Sequence, residues 1–233
     1  MSKPKTEPRP AATVLLLRET AAAPEVFMLQ RTSKAAFLPG AYVFPGGALD
    51  PDDASARAMR RVLGLDDTQA SARLGIAEGG LAYWVAAARE CFEEAGILLA
   101  VDAGGRPVAA ERAASLEQMR APLNEGSLAF SEFLEHEALF VPGSEIAYYS
   151  HWITAPGRPR RFSTRFFVAY APAGQHGAHD RAETVQSVWV SPREALERDK
   201  RGEIELIFPT RRDRKSTRLN SSHIQKSRMP SSA

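Results

Sequence analysis

Residues 89–97 read Arg-Glu-Cys-Phe-Glu-Glu-Ala-Gly-Ile. Glu90, Glu93 and Glu94 stand at i, i+3 and i+4, spacings that share one face of a helix. Three anions on one face repel one another, so the spacing asks for compensation. A divalent cation held by oxygen ligands would supply it, with Arg89 as a counter-charge inside the run. Gly96 is expected to end the helix, as a C-terminal glycine does. A solvated acidic face is the alternative that the spacing alone permits. Cys91, the only cysteine, falls on the inward side of the same helix and reads as a small core residue rather than a reactive thiol.

A second candidate precedes it. Residues 42–50 read Tyr-Val-Phe-Pro-Gly-Gly-Ala-Leu-Asp. A short apolar run feeds Pro45-Gly46-Gly47, where two glycines allow close backbone approach. Backbone N–H groups freed in such a loop suit phosphate oxygens. Taken alone, Pro-Gly-Gly is a turn.

Together the two segments resemble the Nudix box, Gly-x5-Glu-x7-Arg-Glu-U-x-Glu-Glu-x-Gly-U, where U is apolar. The second half matches from Arg89 to Ile97. The first half starts at Gly47 and places Asp53 where the pattern has Glu. Residues 54–88, 35 in all, stand where the pattern has seven, so 28 are inserted. The flank from Leu29 to Gly47 resembles the segment before the box in coenzyme-A-directed Nudix hydrolases. Arg31, Gly40 and Phe44-Pro45-Gly46-Gly47 fall at matching offsets, and Ala36 stands where that motif has a second basic residue. An interrupted box after such a segment is most similar to the branch of the animal peroxisomal coenzyme A diphosphatases and their bacterial relatives. The stretch from His151 to Phe167 resembles that branch too.

The resemblance implies an α/β fold, the Nudix α/β/α sandwich with a mixed sheet and a helical insertion inside the box. It implies that Glu90, Glu93 and Glu94 hold Mg²⁺ or Mn²⁺, Glu94 foremost, with Arg89 orienting a carboxylate and Asp53 a weaker candidate. The family commonly adds an acidic residue outside the box as ligand or general base. Glu183, six residues before Trp189, is the choice here and Glu145 the alternative. Substrate would be met by Arg31, Phe44, Gly46 and Gly47. Arginine forks suit phosphate geometry, so Arg158, Arg160, Arg161 and Arg165 are phosphate candidates, with Arg161 and Arg165 preferred and a solvated basic turn as the alternative. Phe162 or Tyr148 would stack on an adenine, or else pack in the core.

The implied reaction is hydrolysis of a diphosphate, whose charges repel a nucleophile until a cation reduces the repulsion. Coenzyme A or acyl-coenzyme A would give 3′,5′-ADP and a phosphopantetheine. Another nucleotide (NADH, ADP-ribose, a nucleotide sugar) and a non-catalytic nucleotide-binding module remain as alternatives. Survival of all three box glutamates argues against the module.

Composition narrows the classes further. A chain of 233 residues, 44 % hydrophobic and 25 % charged, can bury one proper globular core. It has no apolar run near the roughly 18 residues that span a bilayer, and its polar, proline-rich start lacks a signal-peptide core. One cysteine excludes an internal disulfide and fits a cytoplasmic location. The five histidines show no zinc spacing. The net charge of +2 hides an asymmetry: residues 213–233 carry five basic side chains and one acidic one, leaving −2 on the rest. That tail has no apolar period, resembles read-through peptide, and is expected to be disordered, non-native and without a nucleic-acid role. The expected partner is a small-molecule nucleotide, with no nucleic acid and no membrane. The sequence admits a homodimer without specifying one.

The expected organisation is a flexible stretch 1–10, a domain 11–212 with its insertion at 54–80, and the tail. Val14 to Leu17 and Val26 to Leu29 predict a strand hairpin, and Tyr42 to Phe44 a third strand. The insertion predicts one or two helices. Leu81 to Ala95 predicts the box helix, with Val85, Ala88, Phe92 and Ala95 as its apolar stripe. Ile97 to Val101 reads as a strand, 109–120 and 127–138 as helices. Ile146 to Thr154, Phe162 to Tyr170 and Val185 to Val190 read as strands. Ser191-Pro192 starts a last helix.

Overall fold

The computed structural model describes residues 7–35, 38–180 and 184–206. Within them the chain runs β1 Arg9–Arg18, β2 Glu25–Arg31, β3 Tyr42–Val43, β4 Gly46–Ala48, a 3-10 turn Pro51–Ala54, α1 Ala56–Met59, β5 Val62–Leu63, α2 Asp67–Leu74 and α3 Leu81–Ala95. It continues through α4 Ala110–Ser115, a 3-10 turn Glu117–Met119, α5 Arg120–Asn124, α6 Phe130–His136, β6 Val141–Pro142, β7 Ala147–Ile153, β8 Phe162–Tyr170, β9 Thr184–Val190 and α7 Pro192–Lys200.

Seven strands form one mixed sheet in the order β3-β2-β1-β8-β7, with β4 also on β1 and β9 also on β2. β1 and β8 run parallel, and the other pairings are antiparallel. Period-2 alternation sorts the central side chains. Val14, Leu16, Phe27 and Leu29 enter the core that holds α3, while Leu15, Leu17, Val26 and Met28 enter a second cluster with Val190 and Ala195 of α7. A strand covered on both faces needs a continuous apolar run, and Val14 to Leu17 provides it. Helices on both faces make this the α/β/α sandwich.

α3 spans the predicted residues, and Val85, Ala88, Phe92 and Ala95 are fully buried. Burial runs nearly all round it: every residue but Tyr83 is buried. Trp84 sets its ring edge on Phe167, centroids 4.8 Å apart, and its Nε1–H donates to the Ile146 carbonyl at 2.8 Å. Phe92 stacks on Phe133 at 5.4 Å. The helix has no N-cap side chain of its own. The insertion provides one. Asp67, the first residue of α2, accepts from the N–H groups of Gly79 and Leu81, both at 2.9 Å, and Ser71 Oγ accepts from Gly80 N–H at 2.9 Å. The insertion is therefore fastened to the start of the helix it interrupts.

Three elements differ from expectation. Gly46–Ala48 is not a loop but β4, paired with Ala11 to Thr13; each glycine fits because a neighbour occupies the space of a side chain. Residues 97–101 are buried but form no strand. Leu98 instead pairs its backbone with the Gln175 amide, its N–H donating to Oε1 at 2.8 Å and its carbonyl accepting from Nε2 at 3.4 Å, so a side chain replaces a ladder. β1 begins at Arg9, inside the stretch expected to be flexible, because its parallel pairing with β8 starts there. Ser191 caps α7 with Pro192 in its first turn, as expected. The tail 213–233 lies outside the described residues. Among the described residues no helix is long and apolar enough to cross a membrane.

Candidate active site

α3 presents Glu90, Glu93 and Glu94 to a cavity of about 1460 Å³. They are only 9 %, 8 % and 8 % exposed, so they are sheltered rather than spread over a solvated face. Arg89 organises two of them. Its guanidinium grips Asp53 with Nε to Oδ1 at 2.9 Å and Nη2 to Oδ2 at 3.0 Å. Nη1 reaches Glu93 Oε2 at 2.8 Å and Glu90 Oε1 at 3.0 Å, and Nη2 also donates to the Ala48 carbonyl at 3.0 Å. Burial alone would lower the Arg89 pKa; the bond to Asp53 and the charges of Glu90, Asp53 and Glu93 outweigh it and the net shift is upward.

Asp53 is fully buried, and its Oδ2 also accepts from Asp50 N–H at 2.8 Å. Despite the inserted residues it stays beside the glutamates, but it serves Arg89 and does not line the cavity. Burial raises the Asp53 and Glu93 pKa values, with Arg89 opposing. Glu90 is pushed up to about 7 by burial, resisted by Arg89 and reinforced by repulsion from Glu93.

β4 closes on this helix. Glu94 Oε2 accepts from Gly46 N–H at 2.9 Å. A Cβ on Gly47 would run into the Glu90 carboxylate, so glycine lets the strand lie there without displacing that side chain. The Gly46 N–H expected to face a phosphate is therefore committed to Glu94, although Gly46 and Gly47 both line the cavity.

Among the described residues no three acidic, histidine or cysteine side chains converge as a ready metal cluster. Arg89 holds Glu90 and Glu93, and Gly46 holds Glu94. The chemistry of the donor set still fits Mg²⁺ or Mn²⁺: every donor is a hard carboxylate oxygen, and the acidic side chains around one guanidinium leave surplus negative charge.

The other walls include Arg31 and Phe44. Arg158 and Arg160 line the rim and are exposed, with Trp152 and Phe162 nearby on the lining. Arg161 does not line it: its Nε donates to the Thr154 carbonyl at 3.0 Å and braces the turn. Arg165 is a clearer correction. Along β8, Phe162, Thr164 and Phe166 line the cavity, so alternation turns Arg165 to the opposite face. There Nη1 donates to the Leu74 carbonyl at 2.9 Å and Tyr148 Oη at 3.3 Å, and the cation lies over the rings of Tyr83 and Tyr148. Tyr148 packs on Phe167 rather than lining the cavity. Glu145 is exposed and does not line it either. Glu183 and Ala36 lie outside the described residues.

Sequence reasoning missed Arg9, Asp52 and Asp180, which also line the cavity. Asp52 accepts from Ser131 N–H at 2.9 Å and Oγ–H at 2.7 Å. Its adjacency to Asp53 was the available signal. For Arg9 there was none, because the β1–β8 pairing brings it to the basic turn across some 150 residues of chain.

The family model described as the NUDT19 Nudix domain matches residues 65–213. The chain belongs to that family. Within this Nudix domain, the matched span contains α3 with all three glutamates and leaves β4 outside. The acyl-coenzyme A diphosphatase NUDT19 of Gallus gallus is 32 % identical over 228 residues, covering 79 % of this chain and 58 % of that protein. The Homo sapiens protein of the same name is 29 % identical over 226 residues, covering 83 % and 58 %. The chain thus spans somewhat over half the length of these relatives. The crystal structure of a Nudix hydrolase from Alicyclobacillus acidocaldarius superposes with a TM-score of 0.69 at 31 % identity, over 88 % of each chain.

Proposed function

We propose that this Nudix domain is a divalent-metal-dependent diphosphatase of coenzyme A or acyl-coenzyme A. Water adds to one phosphorus, the P–O–P bridge breaks, and 3′,5′-ADP and a phosphopantetheine leave. The observation that carries the reading is one cavity bounded by the three box glutamates, the β4 glycines and exposed arginines. The names of the curated relatives support the substrate.

Glu90, Glu93 and Glu94 are the residues that would hold Mg²⁺ or Mn²⁺. Such an ion neutralises phosphate charge, activates water and stabilises the leaving phosphate. Arg89 keeps Glu90 and Glu93 oriented while Asp53 fixes its guanidinium. Gly46 keeps Glu94 on the cavity wall. Arg31, Arg158 and Arg160 meet the anionic ends of a long nucleotide, with Phe44 against its apolar part. Glu183 takes the proton of the attacking water.

The test is product analysis with Mg²⁺ or Mn²⁺ on coenzyme A, acetyl-coenzyme A, NADH, ADP-ribose and a diadenosine polyphosphate, with EDTA as control. Metal-dependent 3′,5′-ADP release well ahead of the other substrates is expected. Faster cleavage of another substrate would keep the chemistry and overturn the coenzyme A assignment. No cleavage would overturn the enzyme reading.

A further inference from the structure

The C-terminal end of α3 is held by a residue that the proposed chemistry leaves unused. Arg120, the first residue of α5, is 8 % exposed. Its Nη2 donates to three backbone carbonyls: Glu93 at 3.0 Å, Glu94 at 3.1 Å and Ala178 at 3.1 Å. Nε adds a second bond to Glu93 O at 3.2 Å, and Nη1 pairs with the exposed Glu117 at 3.4 Å. A helix leaves its last carbonyls without intrahelical partners, and a cation there also meets the negative end of the macrodipole. The first two carbonyls belong to two of the three proposed metal ligands. The third belongs to the segment that runs on to Asp180 at the cavity wall. That segment is tied to α3 a second time, by Ala178 N–H donating to Ala95 O at 2.8 Å. Gly96 makes the seat possible: its φ is +65°, and a Cβ there would stand 2.9 Å from Arg120 Nη1.

We propose that Arg120 is a positioning residue, locking the last turn of α3 to the segment 178–180 and so fixing the backbone from which Glu93 and Glu94 present their carboxylates to the metal. This rests on the diphosphatase reading above. Lysine reproduces the lock only in part, because one ammonium replaces Nη2 but not the Nε bond to Glu93 O or the Nη1 pair with Glu117. Methionine keeps the stem and removes every donor.

The experiment compares the full chain with Arg120→Met and Arg120→Lys. Mn²⁺ affinity is read from the electron paramagnetic resonance signal of the free ion, beside kcat, KM and the urea midpoint. Loss of a group that orients metal ligands predicts roughly tenfold weaker Mn²⁺ binding and a similar or larger fall in kcat in Arg120→Met. KM should change much less, and Arg120→Lys should fall between. A folded Arg120→Met protein with wild-type Mn²⁺ affinity and kcat, and only a lower urea midpoint, would make Arg120 an ordinary helix cap and overturn the proposal. If Arg120→Met does not fold, Arg120→Lys decides by the same comparison: unchanged Mn²⁺ affinity overturns it. A wild-type protein that binds Mn²⁺ but cleaves nothing overturns the diphosphatase reading and leaves the Mn²⁺ comparison to judge Arg120. A wild-type protein that binds no Mn²⁺ overturns both.

Discussion

At the residue scale, one guanidinium sets the positions of three carboxylates, and each neighbour has a separable task. Glu94 alone among the box glutamates has no ion pair with Arg89 and instead takes the Gly46 N–H. Glutamine at 94 keeps an acceptor for that N–H and deletes the charge. Glu94→Gln should therefore lower kcat by about 100-fold or more, the scale of a lost metal contact, with nucleotide affinity nearly unchanged. Steady-state kinetics and equilibrium nucleotide binding check both halves. Gly47→Ala tests the close approach of β4. Its methyl group would collide with the Glu90 carboxylate, so overpacking should cost about 1–3 kcal/mol in urea unfolding and reduce activity as well. Cys91 is fully buried, and burial, reinforced by the nearby Glu94 charge, holds its thiol well above the ordinary range. A thiol-specific disulfide reagent should leave the native protein unmodified and label it on unfolding.

At the element scale, α3 depends on other segments at both ends. Gly80 offers no capping side chain, so Asp67 of the insertion accepts from the first helical N–H, that of Leu81, and from Gly79 just before the helix. Asp67→Ala should destabilise the fold by about 1 kcal/mol, read from the urea midpoint, as loss of an N-cap does. The same logic explains why a long insertion in the box is tolerated. It returns to the helix start and pairs β5 with β6 apart from the main sheet, so the register of Glu90, Glu93 and Glu94 is untouched. Alternation along β8 has the opposite consequence for a single residue. Arg165 shares a sequence segment with cavity residues and yet braces the end of α2.

At the scale of the whole molecule, the cavity joins two charge regions of opposite sign. The three sheltered glutamates come from α3. The cations Arg9, Arg158 and Arg160 come from segments about 150 residues apart in the chain, and all three are exposed. Exposed charges are screened over a Debye length of about 8 Å at physiological salt. Raising the ionic strength should therefore raise KM for coenzyme A severalfold while kcat, set at the sheltered carboxylates, changes little. An initial-rate series in NaCl checks this, and a kcat that falls with an unchanged KM would contradict the division of labour.

Much of this was legible in the chain itself. Local periodicity decides elements, so α3, the β1–β2 hairpin, β8 and the capped start of α7 follow from apolar spacing and from Ser191-Pro192. The grouping of Glu90, Glu93 and Glu94 follows too, because helical geometry alone puts i, i+3 and i+4 together. What the sequence left open depends on contacts between distant segments, which periodicity does not encode. The parallel β1–β8 register brings Arg9 to the basic turn, and the return of the insertion places Asp67 at the start of α3. The fold also makes β4 a strand, since Gly46 and Gly47 lie where carboxylates, rather than solvent, approach the backbone. Arg120 is the sharpest case: nothing about an arginine in a polar stretch signals three carbonyls, until packing brings the end of one helix against the start of another.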